Sequence, residues 1–255
     1  MTPTPSHAHR GTEELLDSAR DRAAHATQHT VEAVTSAATA AAQAYSAWKP
    51  KLRGWFHAGA APLALAYGVV ITVLAPPGAP RLTVAVFAAA TVLLFGVSAV
   101  YHRGHWTNQV AAVLRRLDHA NIFLVIAGTY TPLTVLLLPN ATATVLLSTV
   151  WAGAIAGIVM RVVWLGAPRW LYVPIYLALG WVAVAFIPAF WSSGGPAVAS
   201  LVIGGGLGYT IGAVIYGFKW PNPFPRWFGF HEIFHIGTII GYTCHAIAIA
   251  LVALG

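Results

Sequence analysis

Six consecutive residues, Phe230-His231-Glu232-Ile233-Phe234-His235, place two imidazoles and a carboxylate in a stretch that is otherwise largely apolar from Trp227 to Leu254. Burying such groups in hydrocarbon costs several kcal/mol unless a ligand or partner offsets it. On a helix, positions i and i+4 lie about 40° apart, so the rings of His231 and His235 can converge on one point. A metal ion suits that point best, and its remaining ligands must come from elsewhere in the chain. The competing reading is a pair of core histidines satisfied by backbone or hydroxyl groups. The same residues fit H-E-x-x-H, in which the glutamate is a general base beside zinc. Glu232 points about 100° from His231 and could instead pair with Arg226 or face lipid headgroups.

The remaining candidates come from an acid-poor body. Of seven acidic residues, Glu13, Glu14, Asp17, Asp21 and Glu32 lie in the first fifty positions, leaving Asp118 and Glu232 for everything after. Two lone carboxylates in an apolar body are functional candidates by default. His102 closes the segment Ser98-Ala99-Val100-Tyr101-His102, with Ser98 on the same helix face one turn deeper, able to hydrogen-bond a neighbouring ligand or carboxylate. Three imidazoles with an oxygen ligand or water make a tetrahedral zinc site that keeps one position open to chemistry. His245 shares the His231 face but lies about 15 Å beyond His235 along the axis, so it reads as packing or a separate polar contact. His57, His105 and His119 sit near span ends, where a solvated interfacial histidine is the default. The single Cys244 excludes an intrachain disulfide and a cysteine-rich metal site.

The elements that must position these groups are membrane spans. The 255 residues are 58% hydrophobic and only 8% charged, with mean hydropathy +0.70, a composition far from that of soluble domains. Spans are predicted at about 55–75, 82–102, 118–138, 143–165, 170–191, 197–218 and 228–254, each near the ~20 residues a crossing helix needs. Pro76-Pro77-Gly78-Ala79-Pro80, Pro139-Asn140 and the loop with Pro221, Pro223 and Pro225 end three of them. Placing the N-terminus in the cytoplasm and the C-terminus outside puts Lys49, Lys51, Arg53, Arg103, Arg115, Arg116, Arg161, Arg169, Lys219 and Arg226 on one side and only Arg81 on the other, as the positive-inside rule requires. The expected fold is therefore an all-α membrane protein, a seven-transmembrane helix bundle over 49–255. His102, Asp118, His231 and His235 then share one depth near the cytoplasmic face.

Residues 1–48 read as a mobile, partly helical cytoplasmic tail, whose His7, His9, His25 and His29 are irregularly spaced and solvated. Acids and the lack of an apolar core region in 1–30 argue against a signal peptide. The net charge of +7 reports topology and anionic headgroups; no nucleic-acid-binding pattern is present.

The combination of Lys-Pro-Lys-Leu-Arg-Gly-Trp (49–55), Ser-Ala-Val-Tyr-His (98–102), Asp-His-Ala-Asn-Ile-Phe-Leu-Val-Ile-Ala-Gly-Thr-Tyr-Thr-Pro (118–132) and Phe-His-Glu-Ile-Phe-His (230–235) resembles the hemolysin III group of bacterial membrane proteins, within the superfamily of progestin and adiponectin receptors. The resemblance covers about 49–255. It implies seven helices and zinc held by His102, His231 and His235, with Asp118 contacting a metal-bound water and Ser98 supporting it. Receptor relatives carry Gln where Glu232 stands, which weakens a general-base role for Glu232, and residues 1–48 do not match their long extramembrane tail. The expected activity is zinc-dependent hydrolysis of a lipid amide, ceramide-like, at the cytoplasmic leaflet of the cell membrane. A non-enzymatic sensor, regulator or pore with structural zinc is the alternative, and an intramembrane metalloprotease using Glu232 is a minor one.

Overall fold

The computed structural model describes residues 6–47 and 50–255, with side chains placed for 18–40 and 50–255. It divides into two units, Met1–Lys49 and Pro50–Gly255. The first holds one helix, α1 (Ser6–Ala47), as an Ala-rich stretch without Pro or Gly after Thr12 favours. Its described side chains are all exposed, His25 and His29 among them; His7, His9 and Lys49 lie outside the described side chains.

The second unit is helical. α2 (Trp55–Leu74), α3 (Ala79–Arg103), α4 (Asn108–Leu137) and α5 (Asn140–Val163) follow one another with tight connections, then α6 (Arg169–Trp181), a 3-10 turn (Val182–Phe186), α7 (Ile187–Phe218) and α8 (Phe230–Leu254). Local chemistry sets these limits. Ala75, before Pro76, is extended, as the residue preceding proline prefers, and Pro80 sits in the first turn of α3, where its missing N–H costs nothing. Thr107 caps α4 by accepting from Val110 N at 3.4 Å. That cap starts the helix ten residues before Asp118, so Asp118 stands in its third turn and does not open the span as the sequence suggests.

Among the described residues six stretches are long and apolar enough to cross a membrane, and one of them, Arg169–Phe218, runs 50 residues. A single crossing needs about 20. The chain doubles back within it. Trp181 Nε1 donates to Thr210 Oγ1 (2.8 Å), Arg169 Nη1 donates to the Tyr216 carbonyl (3.4 Å), and the Tyr172 and Tyr216 hydroxyls lie 3.2 Å apart. Rising positions on one arm thus pair with falling positions on the other. The reversal falls at Gly195 (φ 80°, ψ 173°), followed by Pro196. A φ of that sign is where glycine lacks the Cβ penalty. The predicted fifth and sixth spans are therefore the two arms of one hairpin, joined by a kink where a loop was expected, and the count of seven passes stands.

The change to 3-10 geometry after Trp181 has a named cause. The Tyr130 hydroxyl donates to the Gly180 carbonyl (2.7 Å) and accepts from Ala183 N (2.6 Å), taking the place of ladder bonds. α7 and α8 approach through glycines. A Cβ on Gly237 would lie 2.8 Å from the Gly208 carbonyl oxygen, and one on Gly212 3.2 Å from that of Phe234. Small residues are what membrane helices use to close on each other, and this contact fixes the rotation of α8, which carries His231, His235 and His245.

Candidate metal centre

The first turn of α8 is held by its own carboxylate and by the segment before α2. Gly229 N donates to Glu232 Oε2 at 2.8 Å, supplying a helix-start cap, while Glu232 Oε1 pairs with Arg53 Nε. Glu232 is fully buried. Lys51 N donates to the Arg226 carbonyl (3.0 Å), Leu52 N to that of Trp227 (3.1 Å), and the Lys51 ammonium lies 4.2 Å from the Trp227 ring. The expected partner Arg226 is replaced by Arg53, 179 positions away in sequence. With one oxygen on a guanidinium and the other on a backbone N–H, Glu232 is engaged as a strut, and the general-base reading of H-E-x-x-H loses its free carboxylate.

This strut presents His231 and His235 to His102 at the end of α3. His102 Nε2 and His231 Nε2 are 3.2 Å apart. Ring centroids are 4.8 Å for His102–His231, 5.2 Å for His102–His235 and 4.6 Å for His231–His235. One ring nitrogen from each lies within 4.8 Å of the others, so the three can hold a metal ion. The fit is chemical as well as spatial. Two nitrogens at about 2.0–2.1 Å from a tetrahedral zinc stand roughly 3.3 Å apart, close to the His102–His231 separation. His235 Nδ1 has no hydrogen-bond partner, so no acceptor beside it orients its ring.

A face-to-face stack does so instead. The His57 ring lies 3.8 Å from that of His235 at 9° and meets Phe95 edge-on at 5.0 Å. His57 is 2% exposed, against the solvated position expected for it. The sequence signal available was its place one turn into a span, directly after Arg53-Gly54-Trp55-Phe56. Gly54, at φ 81°, makes room: a Cβ there would lie 2.5 Å from the His102 Cβ.

Asp118 joins the cluster with Oδ2 3.7 Å from His102 Nε2 and 4.0 Å from His119 Nδ1, and the Ser98 hydroxyl faces its carboxylate. The structure thus brings together all five residues singled out, Ser98, His102, Asp118, His231 and His235. It adds a wall that sequence reasoning missed. His119, also expected in solvent, donates from Nδ1 to the Arg115 carbonyl (2.7 Å) and lines the cavity. Tyr216 lies 5.5 Å from the His231 ring and shares its hydroxyl contact with Tyr172. Behind Tyr172, the guanidinium of Arg161 rests 4.3 Å from the ring. Arg161 is 1% exposed, inside the bundle and not in a flanking loop. His105 is exposed, as expected.

The polar cluster is one end of an apolar cavity. Asp118, His231 and Ser98 line it at the start, Ile122, Ile126 and Tyr209 farther in, and His245 deeper still; the empty space, with the open solvent at its mouth included, is about 1120 Å³. A smaller chamber shares His245, Thr129 and Tyr130 and continues to Leu133, Ile187 and Phe190.

Sequence comparison agrees with this architecture. The chain is 29% identical over 134 residues to the hemolysin-3 homolog of Bacillus subtilis (strain 168), covering 52% of this chain and 62% of that protein. It is 29% identical over 157 residues to hemolysin-3 of Bacillus cereus, covering 61% of this chain and 68% of that one. The match thus spans less than two thirds of the Bacillus subtilis relative. Residues 45–246 match the family model described as Haemolysin-III related, a range that runs from before α2 into α8 and takes in all five clustered residues. The chain is a multi-pass membrane protein and belongs to the haemolysin III-related family.

Proposed function

We propose that this protein is a zinc-dependent hydrolase of lipid amides of the ceramide type, working at the cytoplasmic leaflet. The observation that carries the reading is the junction of two environments: a three-histidine cluster with an adjacent carboxylate opens directly into an elongated apolar cavity. A zinc ion at such a cluster supplies Lewis acidity toward a carbonyl and a nucleophilic water at neutral pH.

The chain's own groups account for the remaining work. His102, His231 and His235 would hold the ion through three neutral imidazole nitrogens. Asp118 accepts the proton of the attacking water and returns it to the departing amine, so the amide C–N bond breaks to a carboxylic acid and an amine. Ser98 keeps the Asp118 carboxylate oriented. The paired hydroxyls of Tyr172 and Tyr216 (3.2 Å) stand on the same wall as donors for charge developing on the carbonyl oxygen. Ile122, Val125, Ile126 and Phe234 enclose the acyl chain and exclude bulk water.

The test is Asp118→Asn in full-length protein purified with its metal. Fatty-acid release from a ceramide-like substrate should fall by roughly 10²–10⁴-fold, the usual contribution of a general base, while bound zinc stays at the wild-type level. A wild-type protein that holds zinc yet releases no fatty acid from a broad panel of lipid amides would instead favour a sensor or regulator with a structural metal.

A further inference from the structure

One acceptor at the polar end of the cavity takes no part in the proton transfers. His119 follows Asp118 on α4 and lines the cavity, and its ring is fixed. Nδ1 donates to the Arg115 carbonyl (2.7 Å), the ring meets Tyr172 edge-on at 6.1 Å, and the Tyr176 hydroxyl donates to the His119 carbonyl (3.3 Å). A carbonyl only accepts, so Nδ1 carries the proton and Nε2 of the neutral ring presents a lone pair. With the Nδ1 edge turned to its own helix backbone, the Nε2 edge is the one left to the cavity. The partnerless ring nitrogens of His57, His235 and His245 are sealed in packing. Nε2 of His119 has no partner among the described residues either, yet it is not sealed, and the side chain is 14% exposed. Its polar neighbours are engaged: Ser98 with Asp118, and the hydroxyls of Tyr172 and Tyr216 with each other.

We propose that His119 is a specificity-determining residue whose Nε2 accepts a hydrogen bond from a hydroxyl on the amine portion of the substrate, so that the site selects N-acylated 1,2-amino alcohols over amides of unsubstituted amines. This role deepens the hydrolase reading and rests on its placing the scissile nitrogen beside Asp118. Adjacency sets the hydroxyl's position. Asp118 Oδ2 stands 4.0 Å from His119 Nδ1, and Nε2 lies across a single ring carbon from Nδ1. A nitrogen held at the carboxylate and a hydroxyl held at Nε2, each by a hydrogen bond of about 2.8–3.0 Å, are then spaced as in an N–C–C–O unit. A ceramide-type amide offers that unit on both sides of its nitrogen-bearing carbon. An amine without the hydroxyl sets hydrocarbon against Nε2 and leaves a desolvated acceptor without its bond.

The experiment measures binding with full-length zinc-loaded protein in nanodiscs. N-octadecanoylsphinganine, its 1,3-dideoxy analogue and its 1,3-difluoro analogue, in which fluorine replaces each hydroxyl and cannot donate, compete with a fluorescent ceramide. Mass spectrometry checks that each ligand is intact when the signal is read. Wild type should bind the diol roughly tenfold more tightly than either analogue, the worth of one hydrogen bond. His119→Phe, which keeps a ring and removes the acceptor, should bind all three alike. Equal wild-type affinity for the diol and the dideoxy analogue overturns this inference and leaves the hydrolase reading intact, as does a difluoro analogue that binds as well as the diol. A preference retained in His119→Phe overturns the assignment to His119; should that variant not fold, His119→Ala carries the same expectation, and the wild-type comparison stands by itself. Failure of all three ligands to bind overturns both readings. Hydroxyl-dependent binding of ligands that stay intact on long incubation keeps the His119 contact and removes the hydrolase reading.

Discussion

The two ends of α8 treat histidine in opposite ways. At the start, His231 and His235 meet His102, His57 and Asp118 within one cluster, and Glu232 beside them is tied to Arg53 and Gly229. Farther along, His245 has one carbonyl contact and a glycine notch. The helix, its apolar character and its packing against α7 are continuous between them. What differs is what the other segments deliver to the same level: titratable side chains from α2, α3, α4 and the segment before α2 at one end, and the Val202 carbonyl with the Tyr209 ring of α7 at the other. A cluster of imidazoles without acceptors is suited to a shared cation, whereas an isolated, oriented imidazole is suited to a neutral hydrogen bond.

Paired substitutions sharpen that contrast. His235→Ala should abolish stoichiometric zinc, read by elemental analysis of the purified protein, because it removes one of only three nitrogen ligands, whereas His245→Leu should leave zinc content at the wild-type value. Equal loss of metal in both would erase the distinction. Next in size is Arg53→Met, which leaves Glu232 buried and unpaired. Breaking a buried ion pair from one side costs about 3–5 kcal/mol, so thermal unfolding in detergent should begin well below wild type, and Arg53→Met with Glu232→Gln should recover part of the loss. The smallest effect is expected from His57→Ala. Removing the ring that orients His235 resembles removing a group that hydrogen-bonds a metal ligand, worth about 10–100-fold in metal affinity, and a chelator competition should place it at the low end of that range with full occupancy at saturating zinc.

Much of this centre was legible beforehand, for reasons of locality. The spacing of His231 and His235 is a property of any helix, and the levels of His102 and Asp118 follow from alternating passes and the distribution of arginines and lysines. Contacts that depend on helix rotation were not. His57 lies on α2 and reaches His235 only because α2 packs with that face toward α8. Arg53 finds Glu232 across 179 positions, where Arg226 looked the nearer partner. Arg161 falls within the predicted fourth span and was read only as one of the cytoplasmic-side cations, yet the end of α5 turns it under Tyr172. The hairpin of 169–218 was anticipated as two spans separated by Ser192-Ser193-Gly194-Gly195-Pro196, but helix continues through the serines and the chain turns only at Gly195. The early start of α4 was missed because Arg115 and Arg116, following Val110-Ala111-Ala112-Val113-Leu114, made the stretch read as a basic connection.

Arg53, Gly54 and His57 reach three different targets within a single helical turn of chain: the α8 carboxylate, the backbone beside His102 and the face of His235. Inserting one residue between Gly54 and His57 would rotate everything after it by about 100°, and deleting one would rotate it by as much the other way. The stretch from Pro50 to His57 is consequently a joint that admits no change of length, whereas the 220–228 connection bears on α8 at one point, where the Asn222 amide oxygen accepts from Phe230 N (3.1 Å).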